Sequence, residues 1–200
     1  MTSILHKKYF KELKEYAEFY SIPIITDGGL EYLKDYIKRN NVKSILEIGT
    51  AIGYSAIHMA LVDEKIRVVS IERDEKRYLE AIKNIKKFFL ENRITLIFND
   101  AINVELDEKF DLIFIDAAKG QYINHFNHFK KYLKDDGTII TDNIEFHGLV
   151  ESEEEIESKG LQGIVTKIRN YIEFLNENEE YETKYIKAGD GLAVTKKRRD

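Results

Sequence analysis

The sequence contains no cysteine, no tryptophan and only one proline, Pro23. Without cysteine the chain has no disulfide, no thiolate zinc site and no cysteine nucleophile, which fits a reducing, cytoplasmic setting. Charged residues interrupt every apolar stretch before it reaches the roughly 18 residues of a membrane span. The N-terminal MTSILHKK runs into charged sequence, so no signal peptide is predicted. One proline and eleven glycines in 200 residues leave no flexible linker, so we expect a single domain over residues 1–200.

Charge argues against a general nucleic-acid coat. The chain has 31 Lys and Arg against 36 Asp and Glu, a net charge of −5, whereas such a coat requires a basic surface. Two local runs depart from this average: acidic residues cluster over 151–155, and the chain ends in the basic run Lys196–Arg199. Both are typical of solvated surface, and the basic run also fits phosphate contacts.

Hydrophobic periodicity predicts an α/β protein. Apolar residues at helical spacing indicate two helices within residues 1–40, separated by a break at 21–23 and a turn at Asp27-Gly28-Gly29. From residue 43 to 196, short apolar runs alternate with amphipathic stretches, which is typical of a Rossmann-like core with a parallel sheet. Five strands are predicted at 44–48, 66–71, 94–98, 111–115 and 138–141, and helices at 75–90, 122–133 and 161–175. The runs 182–187 and 191–195 are close enough to form an antiparallel hairpin, so we expect an antiparallel strand at the end of the sheet.

The first three strand ends carry residues suited to a nucleoside. Gly49 and Gly53 follow the first strand and permit a tight turn and close ligand approach. Glu72 ends the second strand, where an acid can accept hydrogen bonds from ribose hydroxyls. Asp100 and Ala101 follow the third strand, placed for the amino group and face of adenine. Taken together, these strand ends predict a nucleoside site.

The fourth and fifth strand ends carry hard oxygen ligands. Asp116 follows the fourth strand, and Asp142 and Asn143 follow the fifth. Two carboxylates and an amide oxygen suit Mg²⁺ or a similar ion, and Lys119 lies within reach of the same point. The competing interpretation is that Asp116 and Asp142 are helix or turn caps.

The histidines in helical segments are predicted to pack or to lie at the surface: His6, His58, His125 and His128. Phe146 and His147 follow the Asp142-Asn143 pair and are predicted to wall a substrate pocket. No GxSxG motif is present, which disfavours a serine hydrolase.

These motifs resemble the metal-dependent O-methyltransferases of the catechol and caffeoyl-CoA type. The resemblance rests on EIGTAIGYSA from residue 47, Glu72, Asp100-Ala101, DAAKGQY from residue 116 and Asp142-Asn143, and it extends from about residue 20 to the last strand. Within the family the chain is most similar to compact bacterial enzymes that methylate 5-hydroxyuridine in the tRNA wobble position, because it lacks the long insertions of members with bulky acceptors.

The resemblance implies a seven-stranded sheet, S-adenosylmethionine as methyl donor, Mg²⁺ or Mn²⁺ as metal, and a homodimer. It assigns cofactor binding to Ile25, Gly49, Ser55, Glu72, Asp100, Ala101 and Asp116. It assigns the metal to Asp116, Asp142 and Asn143, and the catalytic roles to Lys119 and Asp116.

The compact chain and its basic end favour 5-hydroxyuridine in the tRNA wobble position as the acceptor, with a catechol or hydroxycinnamoyl-type small molecule as the alternative. Catechols and 5-hydroxyuridine both present two adjacent oxygens that can chelate a metal, so the chemistry does not separate them. The tRNA hypothesis gives the basic run Lys196–Arg199 a role in phosphate contacts. A small-molecule enzyme instead needs a pocket lined by aromatic residues such as Tyr122, Phe146 and Tyr171. A third alternative, a nucleoside-binding protein without catalysis, leaves Lys119 and the metal-ligand set without a role.

Overall fold

A computed structural model describes residues 2–146, 148–150 and 158–199. Two helices, α1 at Thr2–Phe19 and α2 at Asp27–Arg39, precede the sheet. The predicted turn at Asp27-Gly28-Gly29 is wrong: these residues open α2, because the Thr26 side chain accepts a hydrogen bond from the Gly29 amide at 3.3 Å and caps the helix. Helix α1 packs through Phe10 onto Phe88, with ring centroids 4.6 Å apart.

Seven strands and four further helices follow in alternation, as predicted. The strands are β1 (Ser44–Ile48), β2 (Arg67–Glu72), β3 (Ile94–Phe98), β4 (Phe110–Ile115), β5 (Leu133–Asp142), β6 (Tyr181–Ile186) and β7 (Leu192–Lys197). The helices are α3 (Tyr54–Ala60), α4 (Glu75–Lys87), α5 (Tyr122–Phe129) and α6 (Lys159–Asn176). Three element ends differ from prediction by several residues: α4 and α5 end early, and β5 begins at Leu133.

The strand order is β3-β2-β1-β4-β5-β7-β6. Strands β1 to β5 are parallel, and β7 is antiparallel to both neighbours. The predicted antiparallel strand is therefore present, but it does not lie at the edge of the sheet. Strand β7 is inserted between β5 and β6, because the hairpin folds its second strand inward onto β5.

The core lies on both faces of the sheet, and its parallel strands are almost continuously apolar, as expected for a sheet covered on both sides. One face packs against α1–α4 through residues such as Leu33, Ile37 and Ile57. The other packs against α5 and α6 through residues such as Phe126 and Tyr171. This layering leaves the carboxyl ends of the parallel strands free to build a site. In the part of the chain that the structure describes, no helix is long and apolar enough to cross a membrane.

Candidate functional site

A cavity of about 470 Å³ opens at the carboxyl ends of β1–β4. It is bounded by the lead-in to α2, the turn after β1 and the ends of β2, β3 and β4. Most of the predicted site residues line it: Ile25, Gly49, Ser55, Glu72, Asp100, Ala101, Asp116 and Lys119. The structure thus brings the strand ends together at one cavity, as the topology of an open α/β sheet predicts.

Position 49 requires glycine because the backbone after β1 packs directly against the backbone after β4. Its φ is +104°, and a Cβ atom there would lie 2.0 Å from the carbonyl oxygen of Asp116. Gly53 has φ +85° and precedes α3. The sequence correctly predicts a close approach at Gly49, but the approaching group is the backbone of β4's end.

Glu72 is held by backbone amides at the end of β2. One carboxylate oxygen accepts from Ala51 at 2.8 Å, and the other accepts from Arg73 at 2.9 Å and Asp74 at 2.8 Å. A carboxylate offers about four acceptor positions, so these three bonds fix it and leave capacity for a ribose hydroxyl. The side chain is 7% exposed and lines the cavity.

Ser55 is tied to a buried acid that the sequence prediction omits. Its hydroxyl donates to Glu47 at 2.5 Å, and Ser70 donates to the other oxygen of Glu47. Burial raises the pKa of Glu47 to about 7, against the effect of these two hydrogen bonds. The period-two pattern of β1 gives no signal of this polar contact, because both faces of the strand are buried.

Asp100 lines the cavity and already has two partners within the protein. One oxygen accepts from the Ile102 amide at 3.3 Å, and the other pairs with Arg73 at 3.2 Å. The side chain is exposed at the cavity rim, while Ala101 behind it is buried. Two of its roughly four acceptor positions are thus used, and the contact of Asp100 with an adenine amino group stays a prediction.

One end of the site, the transfer end, consists of Asp116 and Lys119 after β4 and of Asp142 and Asn143 at the end of β5. Lys119, three residues after Asp116, donates to the side-chain oxygen of Asn143 at 2.7 Å. Asn143 has φ +62°, and its amide donates to one oxygen of Asp142 at 2.8 Å. The Tyr122 hydroxyl donates a hydrogen bond to the backbone carbonyl of Asp142 at 2.9 Å. Hydrogen bonds thus connect Lys119, Asn143 and Asp142, and Asp116 acts on Asp142 through its charge.

The charges in this group fit a cation. Asp142 is 0% exposed, and its second oxygen, Oδ2, is buried with no hydrogen-bond partner in the described part of the chain. Burial raises the pKa of both Asp116 and Asp142, and each is also affected by a neighbouring carboxylate. No group of three or more His, Cys, Asp and Glu suited to a metal occurs among the described residues. The set here is two carboxylates and an amide, whose hard oxygens suit Mg²⁺.

The hairpin turn between β6 and β7 holds two parts of the site in place. A Cβ at Gly189 would lie 2.0 Å from the Thr26 hydroxyl, so the turn packs directly on the start of α2. Backbone bonds from Ile144 to Gly191, 3.1 Å, and from Glu145 to Asp190, 2.8 Å, fasten the segment after Asn143 to the same turn. The turn therefore links the lead-in to α2 with the segment that follows Asn143.

One predicted packing histidine lies at the site. His125 is buried, 5% exposed, but it also lines the cavity at the strand ends, which the prediction of a packing or surface residue did not include. Helix α5 begins close to the tip of β4, which turns this position toward the cavity. His58 does pack, stacking on Phe10 at 3.6 Å between centroids, and His128 contacts the Val104 carbonyl at 2.8 Å.

The aromatic pocket expected for a small acceptor is not built from the proposed residues. Tyr122 and Tyr171 are core residues, 1% and 0% exposed. Phe146 packs in a small cluster with Val150 and Ile168, and His147 lies outside the described residues, as does the acidic run 151–155. A second cavity of about 660 Å³ lies beside Ile144 and α6, and no predicted site residue lines it.

The basic run lies toward the opposite end of the paired strands β5 and β7 from the transfer end. Lys196 pairs with Thr138 in the β5–β7 ladder, whereas Asp142 pairs with Leu192. Four residues of strand separate these levels, roughly 13 Å. Lys196 also lies over the ring of Tyr36, and Arg199 pairs with Asp136 at 2.7 Å. The first two residues of the run, Lys196 and Lys197, thus belong to β7, and Lys196 and Arg199 have contacts within the protein.

Comparison with known proteins decides the family. The model of a family described as O-methyltransferase matches residues 1–198. The chain belongs to this O-methyltransferase family. The expectation of an enzyme, an S-adenosylmethionine-dependent O-methyltransferase, is thereby confirmed, and the methyltransferase fold is confirmed with it.

Relatives of this O-methyltransferase cover nearly the whole chain. The caffeoyl-CoA O-methyltransferase of Populus kitakamiensis is 28% identical over 193 residues, 92% of this chain and 82% of the relative. A Staphylococcus aureus protein provisionally described as a caffeoyl-CoA O-methyltransferase has a crystal structure with a TM-score of 0.89 and 38% identity, covering 94% of this chain and 92% of that one. A Bacillus cereus O-methyltransferase solved with S-adenosylhomocysteine has a TM-score of 0.80 and 25% identity, covering 96% and 91%.

Proposed function

We propose that this O-methyltransferase methylates one of two adjacent oxygens on a small aromatic acceptor, using a divalent cation held by Asp116, Asp142 and Asn143. The observation that carries the proposal is the buried Asp142 Oδ2 without a partner, grouped with Asp116, Asn143 and Lys119. A capping role for Asp142 does not explain a buried, unpartnered carboxylate oxygen, because such an atom costs free energy unless a ligand satisfies it.

The cavity supports S-adenosylmethionine as the donor. Its polar lining at Ser55 and Glu72 suits the amino acid and ribose parts, and the Bacillus cereus relative was solved with the demethylated product. In the proposed transfer, the acceptor oxygen would bond to the methyl carbon as the carbon–sulfur bond breaks, so the sulfonium would leave as a neutral thioether and the oxyanion would become a neutral ether. The acceptor must therefore approach as an oxyanion in line with the methyl group.

Residues of this chain supply what that step needs. Asp116 and Asp142 provide the negative charge that holds a cation, and Asn143 adds a neutral oxygen. A bound Mg²⁺ lowers the pKa of a coordinated hydroxyl and orients it. Lys119 stands 2.7 Å from the Asn143 oxygen, and this contact supports the proposal that its amine removes the proton of the acceptor hydroxyl. The backbone of Gly49 packs against that of Asp116, which fixes the turn after β1 next to this group.

The relatives favour a small acceptor over tRNA, although Tyr122 and Tyr171 are core residues and do not line a pocket for it. The Populus relative is named for caffeoyl-CoA, whose caffeoyl ring carries two adjacent hydroxyls. The basic run proposed for RNA contacts lies about 13 Å along the sheet from the transfer end and is partly engaged by Tyr36 and Asp136. Wobble 5-hydroxyuridine presents a comparable oxygen pair and is the competing acceptor.

An acceptor comparison tests the proposal. Caffeic acid, its monophenol analogue without the second hydroxyl, and tRNA bearing 5-hydroxyuridine are each incubated with enzyme, S-adenosylmethionine and Mg²⁺. We expect methylation of caffeic acid and little or none of the monophenol, because only the first can chelate. Equal turnover of the monophenol contradicts chelation. Methylation of the tRNA alone contradicts the small acceptor and restores the RNA hypothesis.

A further inference from the structure

Helix α5 presents a buried imidazole to the cavity. Phe126 and Phe129 on this helix are 0% exposed in the core, whereas His125 lines the cavity with Asp100 and Ala101. In the described part of the chain, His125 Nδ1 is a buried atom without a hydrogen-bond partner. The other histidine of α5, His128, has a partner in the Val104 carbonyl. His58 also has a buried nitrogen without a partner among the described residues, but it stacks on Phe10 and does not line the cavity, so the contact with the cavity is what distinguishes His125.

The imidazole is neutral. Burial is the main cause that lowers the pKa of His125 to about 4, with Arg73 and His128 acting in the same direction and Asp100 opposing them. A neutral imidazole carries one donor and one acceptor nitrogen on a flat ring. Such a group suits an uncharged heterocycle better than a phosphate or carboxylate.

The position of His125 corresponds to the base of a nucleoside. Glu72 at the end of β2 is the ribose acid, and β3 is the next strand outward in the sheet, so the base lies toward the turn after β3. That turn contributes Asp100 and the small side chain of Ala101. Asp100 already binds Arg73 and the Ile102 amide, and His125 adds a buried nitrogen without a partner, among the described residues, at the same end of the cavity.

We propose that His125 binds the adenine ring of S-adenosylmethionine through a ring nitrogen and contributes to the selection of adenine over other purines. The inference rests on the proposed use of this cavity for the cofactor. It adds a base-reading residue to those assigned by the family resemblance, and it gives the buried nitrogen a partner.

Two variants separate the ring nitrogens from the flat shape of the ring. His125→Phe keeps an aromatic ring and removes the nitrogens, and His125→Asn keeps a short polar side chain. His128→Phe is the matched control on the same helix, since His128 does not line the cavity. Calorimetry measures the affinity of each for S-adenosylhomocysteine and for S-inosylhomocysteine, which carries an oxygen in place of the 6-amino group.

We expect His125→Phe to bind S-adenosylhomocysteine roughly five- to tenfold more weakly, the loss for one hydrogen bond. The ratio of its affinities for S-adenosylhomocysteine and S-inosylhomocysteine should also be smaller than in the unmodified enzyme. His125→Asn should retain part of the affinity for S-adenosylhomocysteine. His128→Phe should bind both ligands like the unmodified enzyme. In the unmodified enzyme, the ring-nitrogen NMR signals of His125 should shift when S-adenosylhomocysteine is added.

The outcomes distinguish the two levels of the proposal. If the unmodified enzyme fails to bind S-adenosylhomocysteine, the proposed function is wrong. If it binds, but His125→Phe has unchanged affinity and selectivity and the ring signals do not move, His125 is a packing residue and the inference is overturned. A variant that fails to fold leaves the NMR measurement on the unmodified enzyme to decide.

Discussion

The two ends of the site, a cofactor end around Glu72 and Glu47 and a transfer end around Asp116 and Asp142, differ in how their acidic groups are satisfied. At the cofactor end, Glu72 accepts three backbone hydrogen bonds and Glu47 accepts two from serines. At the transfer end, Asp142 keeps a buried oxygen without a partner and lies near the carboxylate of Asp116. The difference teaches that hydrogen bonds within the protein satisfy the acids of the cofactor end, whereas the buried oxygen of Asp142 is left for the proposed cation.

The largest effect is expected from Asp142→Asn. Removing this charge weakens the cation site, so turnover should fall by more than about 10⁴-fold, beyond the loss of one proton-transfer group. Affinity for S-adenosylhomocysteine should stay unchanged, because the cofactor end is satisfied independently. Asp135→Asn, at an exposed position of the same strand, is the control. Turnover and calorimetry are the measurements, and a parallel loss of cofactor affinity would show that the two ends are not independent.

Lys119→Met ranks next. The side chain loses its amine but keeps its length, so methyl transfer should slow by about 10²–10⁴-fold. Cofactor affinity should hold, as should the affinity for Mn²⁺, because Lys119 is not itself a ligand. Single-turnover rates and Mn²⁺ titration check this. An unchanged single-turnover rate would leave Lys119 with only its contact to Asn143.

Glu47→Gln tests the cofactor end through stability. The folded pKa of Glu47, about 7, lies above its ordinary value of 4.5. A carboxyl with a raised folded pKa contributes its full stability below pH 4.5 and loses it as pH rises through 7, by about 3 kcal/mol in all. The variant should lack this loss. Urea unfolding at pH 5 and pH 8 measures it, with exposed Glu91→Gln as control; an unaltered pH dependence in Glu47→Gln contradicts the assignment.

Gly189→Ala tests the turn that joins the two ends. A Cβ there meets the Thr26 hydroxyl at φ +61°, so we expect a loss of about 1–3 kcal/mol in the free energy of unfolding. Affinities for cofactor and Mn²⁺ should fall together, since the turn contacts both segments. Gly163→Ala, on α6 with nothing within 4 Å of the new Cβ, is the matched control. A change in only one affinity would show that the turn does not link the segments.

The sequence predicts strands and their tips well because apolar runs and turn residues are local signals. It placed Asp116, Lys119, Asp142 and Asn143 in one group because parallel strand ends meet at one edge of a sheet. It could not predict the inward position of β7, since two orders of a hairpin have the same local pattern.

Side-chain partners were also beyond the sequence. The pairing of Asp100 with Arg73 depends on how two strand-end turns approach each other in space. The place of His125 depends on the angle at which α5 leaves β4, and a histidine between apolar residues on a helix is equally typical of packing. The contact of Ser55 with Glu47 crosses from a helix to a strand, with no periodic signal.

The most direct test of the cation at the transfer end is methyl transfer by enzyme shown to be metal-free by elemental analysis, followed as Mn²⁺ is added. We predict no turnover in the metal-free enzyme, restoration by about one equivalent of bound Mn²⁺, and unchanged affinity for S-adenosylhomocysteine throughout. Mg²⁺ should also restore turnover, and Ca²⁺ should do so poorly because its bonds are longer. Full turnover by the metal-free enzyme would contradict the account and leave Asp116 and Asp142 as structural caps.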